Sequence, residues 1–144
     1  MIASDGSLDR QALRTIVFGD PGKRLQLEAI LHPRIRNAAF RQAREASGPY
    51  VIIVVPLLYE SPMKSSMDRI LVVDCSVESQ LERLLARDDE SEDQARRIIA
   101  AQAGRAERRS IADDVIVNEG DIGDTRKSVH ELHESYLKLA TSRS

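Results

Sequence analysis

The fold class of this chain follows from residues 50–56, Tyr-Val-Ile-Ile-Val-Val-Pro, in which apolar residues follow one another without alternation. Alternating apolar and polar residues would indicate a strand with one wet face, whereas a continuous apolar run predicts a strand buried on both faces. Residues 69–74, Arg-Ile-Leu-Val-Val-Asp, repeat this pattern, and residues 114–118, Asp-Val-Ile-Val-Asn, give a shorter third copy. These three segments predict a parallel sheet covered by helices.

The segment before these strands carries helical signals. Residues 8–18 place apolar side chains at helical spacing, and Asp20 followed by Pro21 predicts the N-terminus of a second helix. His32 directly before Pro33 predicts a break in this second helix, because proline lacks a backbone donor and disfavours helical geometry in the residue before it.

The segments after the second strand predict two helices in succession, over residues 76–87 and 91–108, and residues 124–140 predict a final helix. The order is therefore helices, strand, strand, two helices, strand, helix, which is typical of an α/β layered fold with a parallel sheet. Two consecutive helices are more than a crossover between strands needs, and an inserted mobile flap is one explanation.

Composition narrows the class of protein. The 144 residues suit one domain, and 42% hydrophobic with 31% charged residues is typical of a soluble globular protein. A net charge of −2 gives no general attraction to nucleic acid or to anionic membranes. The longest apolar run, residues 51–58, is too short to span a bilayer, and the start lacks the features of a signal peptide. With Cys75 as the single cysteine, we expect a cytoplasmic protein without nucleic-acid or membrane partners.

The helices between the last two strands are rich in arginine. The planar guanidinium group grips phosphate through two hydrogen bonds and stays charged at neutral pH, so arginines on a mobile flap suit phosphoryl transfer. A solvated helix surface with acidic partners explains the same composition, and both interpretations stay open from the residues alone. The arginines concerned are Arg83, Arg87, Arg96, Arg97, Arg105, Arg108 and Arg109.

Other candidate residues follow the predicted strands. Ligands of open parallel sheets bind outside the carboxyl ends of the strands, which places residues 56–60 and 118–120 near a potential ligand. His32, beside the predicted helix break, is a further candidate for anion or hydroxyl binding. No Gly-x-x-x-x-Gly-Lys-Ser/Thr motif occurs in the 144 residues. The sequence given therefore predicts no loop that would bind nucleotide phosphates through this motif. No pattern of Cys, His and carboxylates predicts a metal site.

Several segments together resemble dephospho-coenzyme A kinase, and the resemblance runs from one end of the chain to the other. The individual motifs are short, but their order and spacing are specific. They are Gly6-Ser-Leu-Asp-Arg-Gln-Ala-Leu-Arg14, Leu27-Glu-Ala-Ile-Leu-His-Pro33, Val55-Pro-Leu-Leu-Tyr-Glu60, Asp68-Arg-Ile-Leu-Val-Val-Asp74, Ala100-Ala-Gln-Ala103, Ala112-Asp-Asp-Val-Ile116 and Leu132-His133.

The resemblance implies a P-loop nucleoside-monophosphate-kinase-like three-layer fold. It also implies phosphorylation of the ribose 3′-hydroxyl of dephospho-coenzyme A by ATP with Mg²⁺, the last step of coenzyme A synthesis. Residues 8–46 would be acceptor-binding helices, residues 50–74 and 114–140 the core, and residues 76–109 an Arg-rich lid region, all in one domain. The implied acceptor-binding residues are His32, Pro33, Arg36, Pro56, Leu57, Leu58 and Glu60. The implied catalytic arginines of the lid are Arg87, Arg105 and Arg108, and Asn118 with Gly120 would lie near the adenine of ATP.

One departure from the family pattern sets further expectations. The family's phosphate-binding loop follows a first strand that lies between the strands corresponding to residues 50–56 and 69–74, and neither is present here. We therefore expect a truncated kinase domain that is inactive alone and that is poorly stable, re-paired or a homo-oligomer. Two alternatives remain, namely a non-catalytic protein that binds coenzyme A or dephospho-coenzyme A, and a fragment of another nucleoside-monophosphate kinase.

Overall fold

The computed structural model describes residue 2, residues 6–87 and residues 91–142, without the side chains of Arg10, Gln11, Arg14 and Phe18. The chain divides into two compact units, Met1–Ser47 and Gly48–Ser144. The boundary between the units falls close to the predicted end of the acceptor-binding helices at residue 46.

The first unit is built from two helices, α1 (Arg10–Gly19) and α2 (Pro21–Glu45). Asp9 caps α1, because its side chain accepts a hydrogen bond from a backbone N–H three residues on, at 2.9 Å. Asp20 caps α2 in the same way, and its Oδ1 accepts from the N–H of Gly22 at 2.9 Å. The second helix therefore begins where the sequence predicts it, and the first begins two residues after its predicted start.

The predicted break at His32 and Pro33 is wrong. Helix α2 continues through Pro33 over 25 residues. A proline inside a helix removes one hydrogen bond and crowds the preceding turn, at a cost of about 3 kcal/mol. The turns on either side retain their own hydrogen bonds and the Asp20 cap, which is sufficient to keep one helix.

The second unit contains the sheet. The two strands β1 (Leu71–Asp74) and β2 (Asp114–Val117) pair in parallel, with Leu71 opposite Asp114 and Asp74 opposite Val117. The other elements are a 3₁₀ helix (Pro62–Ser66), α3 (Val77–Arg87), α4 (Glu92–Ala100), α5 (Arg105–Ser110) and α6 (Ile122–Thr141). The second and third predicted strands are thus confirmed, and so is the final helix.

The connection between β1 and β2 differs from the prediction in one respect. Ser76 and Ser91 cap α3 and α4, with serine oxygens that accept backbone N–H groups at 3.0 and 3.3 Å. The single helix predicted over residues 91–108 is divided at residues 101–104, and α5 begins afresh after Gly104. Glycine lowers helix propensity, and Gly104 here takes the extended backbone of an N-cap. The break sets the direction of α5 independently of α4.

The first predicted strand does not join the sheet. Among the described residues no strand pairs with residues 50–55, and the Ile52 and Val54 side chains are 62% and 86% exposed. The prediction that both faces of this segment are buried is therefore wrong. A strand requires a neighbouring backbone to take up its hydrogen bonds, and β1 pairs only with β2 in the described part of the chain.

Aromatic contacts attach the start of this segment to the last helix. Tyr50 Oη and His133 Nδ1 share a hydrogen bond of 2.6 Å, and the Tyr50 ring packs edge-on against Tyr136, with 5.5 Å between centroids. Buried apolar side chains are few among the described residues: Met63, Ala95 and Ile116. These buried residues lie in the 3₁₀ helix, in α4 and in β2, respectively.

Candidate phosphate-binding site

The candidate site is centred on Asp74, the last residue of β1. Asp74 is only 2% exposed. Its Oδ1 accepts a hydrogen bond from Arg105 Nε at 2.9 Å, and its Oδ2 accepts from Arg105 Nη2 at 2.7 Å. Arg109 Nη1 donates to the same Oδ2 at 2.6 Å. One buried carboxylate therefore holds two guanidinium groups at the carboxyl end of the sheet.

Helix α5 brings both arginines to this carboxylate. Residues four apart lie on one face of a helix, so Arg105 and Arg109 project to the same side of α5. The Gly104 N–H donates to Glu107 Oε2 at 2.7 Å, which closes the first turn of this short helix. The helix break at residues 101–104 thus determines which arginines reach Asp74.

The two arginines keep Asp74 ionised. The hydrogen bonds from Arg105, and then those from Arg109, hold the pKa of Asp74 below its ordinary value although burial opposes this. The ionised Glu119 carboxylate also attracts Arg105, so two guanidinium groups face one buried and one exposed carboxylate at neutral pH. The arginine side chains are 41% and 46% exposed, and with Ala106 and Ser110 they line an open depression of about 770 Å³.

The end of β2 lies beside Asp74. The N–H of Asn118 donates to the carbonyl oxygen of Asp74 at 2.7 Å, and Asn118 Oδ1 accepts from Thr125 Oγ1 at 3.3 Å. Glu119 accepts hydrogen bonds from the backbone N–H of Ser76 and from Ser79 Oγ, the latter at 2.6 Å. These contacts fix both strand ends and the start of α3 relative to one another.

Gly120 allows a close approach of a neighbouring carboxylate. An added Cβ at Gly120 would lie 2.7 Å from Asp124 Oδ2, so a larger residue would have to displace that flexible side chain. The described contacts of Asn118 and Gly120 thus place them at the carboxyl edge of the sheet, where the sequence puts them.

Residues 56–60 form a turn with an unusual backbone. Among the described residues Leu57 is the one non-glycine with a positive φ, at 57°. This conformation costs a residue with a side chain about 1–2 kcal/mol, and such strain often marks a ligand-binding segment. The strained residue thus falls in the turn for which an acceptor-binding role was predicted.

Glu60 connects this turn to the break between α4 and α5. Glu60 Oε1 accepts a hydrogen bond from the N–H of Ala103 at 2.9 Å, and Arg108 Nη1 donates to the carbonyl oxygen of Ala103 at 2.6 Å. Ala103 is therefore held on both sides of its backbone, two residues before Arg105. Arg108 acts on the backbone here and is not among the donors to Asp74.

Removal of the Glu60 carboxylate is expected to loosen residues 101–104. Glu60→Ala deprives the Ala103 N–H of its acceptor, and we expect its amide hydrogen exchange to accelerate about tenfold, as loss of one net hydrogen bond of about 1.4 kcal/mol implies. Glu60→Gln retains an acceptor oxygen of the same reach and serves as the matched control. Equal exchange at Ala103 in the wild type and Glu60→Ala would contradict this role of Glu60.

The other predicted residues belong to other helices. His32, Pro33 and Arg36 are exposed on α2, in the first unit, and Arg87 is the exposed last residue of α3. Asp74 was not among the predicted site residues, and Arg109 was predicted only as one of seven arginines in the helices between the last two strands. The available signal was an aspartate at a strand end combined with arginines spaced four apart.

Comparison with known proteins identifies the family. The sequence model of the dephospho-CoA kinase family (CoaE) matches residues 1–124. The dephospho-CoA kinase of Aromatoleum aromaticum is 50% identical over 141 residues, which cover 97% of this chain and 69% of that enzyme. The dephospho-CoA kinase of Thiobacillus denitrificans is 49% identical over 144 residues, covering 99% of this chain and 71% of that enzyme. The chain belongs to the dephospho-CoA kinase family.

A solved structure supports the fold of this kinase family member. The crystal structure of TT1252 from Thermus thermophilus superimposes with a TM-score of 0.76 at 27% sequence identity, and the match covers 93% of this chain and 70% of that one. The predicted α/β fold with a parallel sheet is thereby confirmed. Membership of a kinase family also means that the enzyme class is a phosphotransferase that uses ATP.

The residues of the site suit the binding of ATP phosphates, which is one part of the chemistry of a kinase. Exposed guanidinium edges bind phosphate oxygens, so Arg105 and Arg109 fit the polyphosphate chain of a nucleotide. Among the described residues, no group of three or more His, Cys, Asp or Glu side chains is arranged to hold a metal ion. Within the same residues no helix is long and apolar enough to cross a membrane.

Two carboxylates make the stability of this kinase family member sensitive to acid. Hydrogen bonds from Arg105 lower the pKa of Asp74, and those from Arg69, at 2.5 and 2.9 Å, lower the pKa of Asp114. Each carboxylate has a pKa of 3.8 in the unfolded chain and a lower pKa in the folded chain. The stability that this difference adds is complete above pH 3.8, and it is lost as the pH falls through the folded-state pKa. Denaturant titrations should show the free energy of unfolding falling below about pH 4.

Asp114→Asn tests the acid sensitivity directly. This variant should flatten the acid limb of the stability profile, whereas Asp93→Asn, at an exposed position on α4, should leave the limb unchanged. Tyr136, which donates a hydrogen bond to Asp114, affects stability at alkaline pH. Burial and this hydrogen bond raise the pKa of Tyr136 from 10.0 to about 12, so its contribution to stability is lost as the pH rises through about 12. An acid limb identical in all three proteins would contradict the assignment to Asp114.

Proposed function

We propose that this chain serves the phosphorylation of the ribose 3′-hydroxyl of dephospho-coenzyme A by magnesium-ATP, the last step of coenzyme A synthesis. The observation that carries the proposal is the pair of arginines on Asp74 at the carboxyl end of the sheet, in a chain of the dephospho-CoA kinase family. Ligands of parallel sheets bind at this edge, and phosphoryl transfer relies on positive charge placed around the phosphates.

The proposed roles follow the two ends of the reaction. The turn that contains Leu57 and Glu60, with Pro56 and Leu58, receives the acceptor, and His32, Pro33 and Arg36 belong to the same acceptor function. Arg87, Arg105 and Arg108 serve the lid, with Arg105 on the phosphates and Arg108 supporting the backbone of the lid. Asn118 and Gly120 lie near the adenine, and Mg²⁺ enters with the ATP phosphates, since it commonly binds few protein carboxylates beside them.

A second candidate function is non-catalytic binding of coenzyme A or dephospho-coenzyme A. The observation that favours it is the lack of a Gly-x-x-x-x-Gly-Lys-Ser/Thr motif within the 144 residues. Phosphate-loop kinases use that motif to hold the β- and γ-phosphates. We propose that these 144 residues alone bind the acceptor and do not transfer phosphate. A cytoplasmic location remains a prediction from composition.

Competitive binding distinguishes the acceptor classes. In isothermal titration calorimetry we expect dephospho-coenzyme A to bind the 144-residue chain at least tenfold more tightly than AMP, and shikimate not to bind. Preference for AMP would indicate another nucleoside-monophosphate kinase and would overturn the proposed substrate. Fusion of the chain to a family segment that contains the phosphate-binding loop then distinguishes the two functions. Coenzyme A formation by the fusion would support the kinase, and its absence would support the non-catalytic binder.

We also propose that copies of the chain associate through the exposed segment 51–55 and the edge of β1 that faces away from β2. Exposed apolar strands with unpaired backbone groups are sites of self-association. Light scattering after size exclusion should give a mass above that of one chain, and Val54→Lys should lower it. Ile122→Lys, which charges an exposed apolar position on α6, is the matched control. A monomeric chain with a cooperative unfolding transition would contradict this proposal.

A further inference from the structure

Asp74 uses only part of each guanidinium group. It engages Arg105 through Nε and Nη2 and engages Arg109 through Nη1. A guanidinium group has five N–H donors in a fixed plane, so an edge that binds one carboxylate leaves a second edge for another anion. The Nη1 side of Arg105 and the Nε side of Arg109 are not directed to Asp74.

The carboxylate itself is closed to a ligand. Both Asp74 oxygens accept arginine hydrogen bonds, the residue is buried, and its backbone carbonyl accepts from Asn118. The arginine side chains are about half exposed and line the open depression beside α5. A ligand in that depression meets the arginines and not the aspartate.

We propose that Asp74 is a positioning residue, which holds Arg105 and Arg109 so that their outward edges form one binding site for the polyphosphate chain of the nucleotide donor. This inference rests on the proposed kinase function and extends it to Asp74 and Arg109. An arginine already fixed by a buried carboxylate loses less side-chain freedom when it binds phosphate. Arg109 thus joins Arg105 in contact with the phosphates.

Removal of the Asp74 charge distinguishes two roles of Asp74, namely positioning of the arginines and neutralisation of their charge. If Asp74 merely neutralised its neighbours, Asp74→Asn would strengthen anion binding, because a negative charge is lost. Positioning requires the opposite sign, since the arginines would lose their common anchor. The probe is inorganic tripolyphosphate, titrated calorimetrically into the 144-residue chain at a fixed ionic strength, with the folded fraction of each variant measured by circular dichroism.

We expect Arg105→Ala and Arg109→Ala each to weaken tripolyphosphate binding at least tenfold, and Asp74→Asn to weaken it at least fivefold. Asp93→Asn removes an equal charge from the exposed face of α4 and should leave the affinity unchanged or slightly higher. Unchanged or tighter binding in folded Asp74→Asn would overturn the inference.

Displacement identifies the source of the phosphates, since dephospho-coenzyme A also carries a diphosphate. ATP should displace tripolyphosphate, and dephospho-coenzyme A should not; displacement by dephospho-coenzyme A alone would overturn the assignment to the donor. Failure of the kinase proposal is separately visible, as absent binding of dephospho-coenzyme A to the wild type. Asp74→Asn should bind dephospho-coenzyme A as the wild type does.

A measurement on the wild type keeps the inference testable should Asp74→Asn not fold. The Arg105 Nε–H signal, assigned in ¹⁵N spectra by its loss in Arg105→Lys, should remain protected from exchange when tripolyphosphate binds, because the contact with Asp74 persists. Loss of that protection on binding would show that phosphate displaces Asp74 and would overturn the positioning role.

Discussion

Magnesium-ATP and dephospho-coenzyme A should yield no measurable coenzyme A when these 144 residues are the only protein present. Arg105 and Arg109 offer positive charge, but none of the 144 residues forms a Gly-x-x-x-x-Gly-Lys-Ser/Thr loop to hold the β- and γ-phosphates in line with the acceptor. Positioning and charge stabilisation supply almost all of the catalysis in phosphoryl transfer, so loss of the principal phosphate cradle should reduce the rate below detection.

The assay should follow ADP and coenzyme A together over several hours. The matched control is a fusion of these residues to a family segment that contains the phosphate-binding loop, which should restore turnover. Dephospho-coenzyme A should still bind the 144-residue chain. Coenzyme A formation by the 144 residues, undiminished after repurification, would show that other residues of this chain hold the phosphates.

Arg105→Ala in the active fusion should lower kcat by about a thousandfold and change KM for dephospho-coenzyme A little. An arginine that stabilises the transferred phosphoryl group contributes roughly 10³-fold or more to phosphoryl transfer. The contacts of Arg105 lie at the carboxyl end of β1, where we propose that the phosphates bind, whereas four of the proposed acceptor residues lie in the turn around Leu57. The effect should therefore appear in kcat.

Controls separate chemistry from folding. Arg105→Ala leaves the buried Asp74 with Arg109 alone, so thermal unfolding must establish that the variant is folded at the assay temperature. Arg105→Lys retains the charge but not the two-point contact, and should recover only part of the rate. Arg126→Ala removes an exposed arginine from α6 and should have no effect. Unchanged kcat in folded Arg105→Ala would contradict the role of Arg105.

Arg108→Ala offers an instructive comparison with Arg105→Ala. The sequence resemblance gives Arg105 and Arg108 the same lid role, but Arg108 donates to the carbonyl oxygen of Ala103 and supports the backbone before α5. Its loss should therefore act through the position of Arg105 and cost less in kcat.

Local signals in the sequence predicted helix starts in both units and the two strands of the second unit. Asp20, Ser76 and Ser91 cap helices through short-range hydrogen bonds, and two apolar runs form the parallel strands β1 and β2. These features depend on neighbouring residues or on a repeated pattern, so one sequence is sufficient to reveal them.

Features that depend on distant partners were predicted less well. Residues 50–56 have the composition of a buried strand, but a strand also needs a neighbouring backbone, and none pairs with them among the described residues. The break predicted at Pro33 failed for the converse reason, because a long capped helix tolerates one missing bond. The Asp74 group was missed because its contacts span 31 and 35 residues along the chain and depend on how α5 packs against β1.

The central claim is that this chain provides the acceptor and lid functions of a dephospho-CoA kinase. The most direct measurement identifies the product formed by the active fusion from magnesium-ATP and equal concentrations of dephospho-coenzyme A and AMP, by mass spectrometry and by cleavage with a 3′-nucleotidase. We predict coenzyme A with its new phosphate on the ribose 3′-oxygen and little ADP formed from AMP. Preferential phosphorylation of AMP, or no transfer to dephospho-coenzyme A by a folded fusion that binds it, would contradict the account.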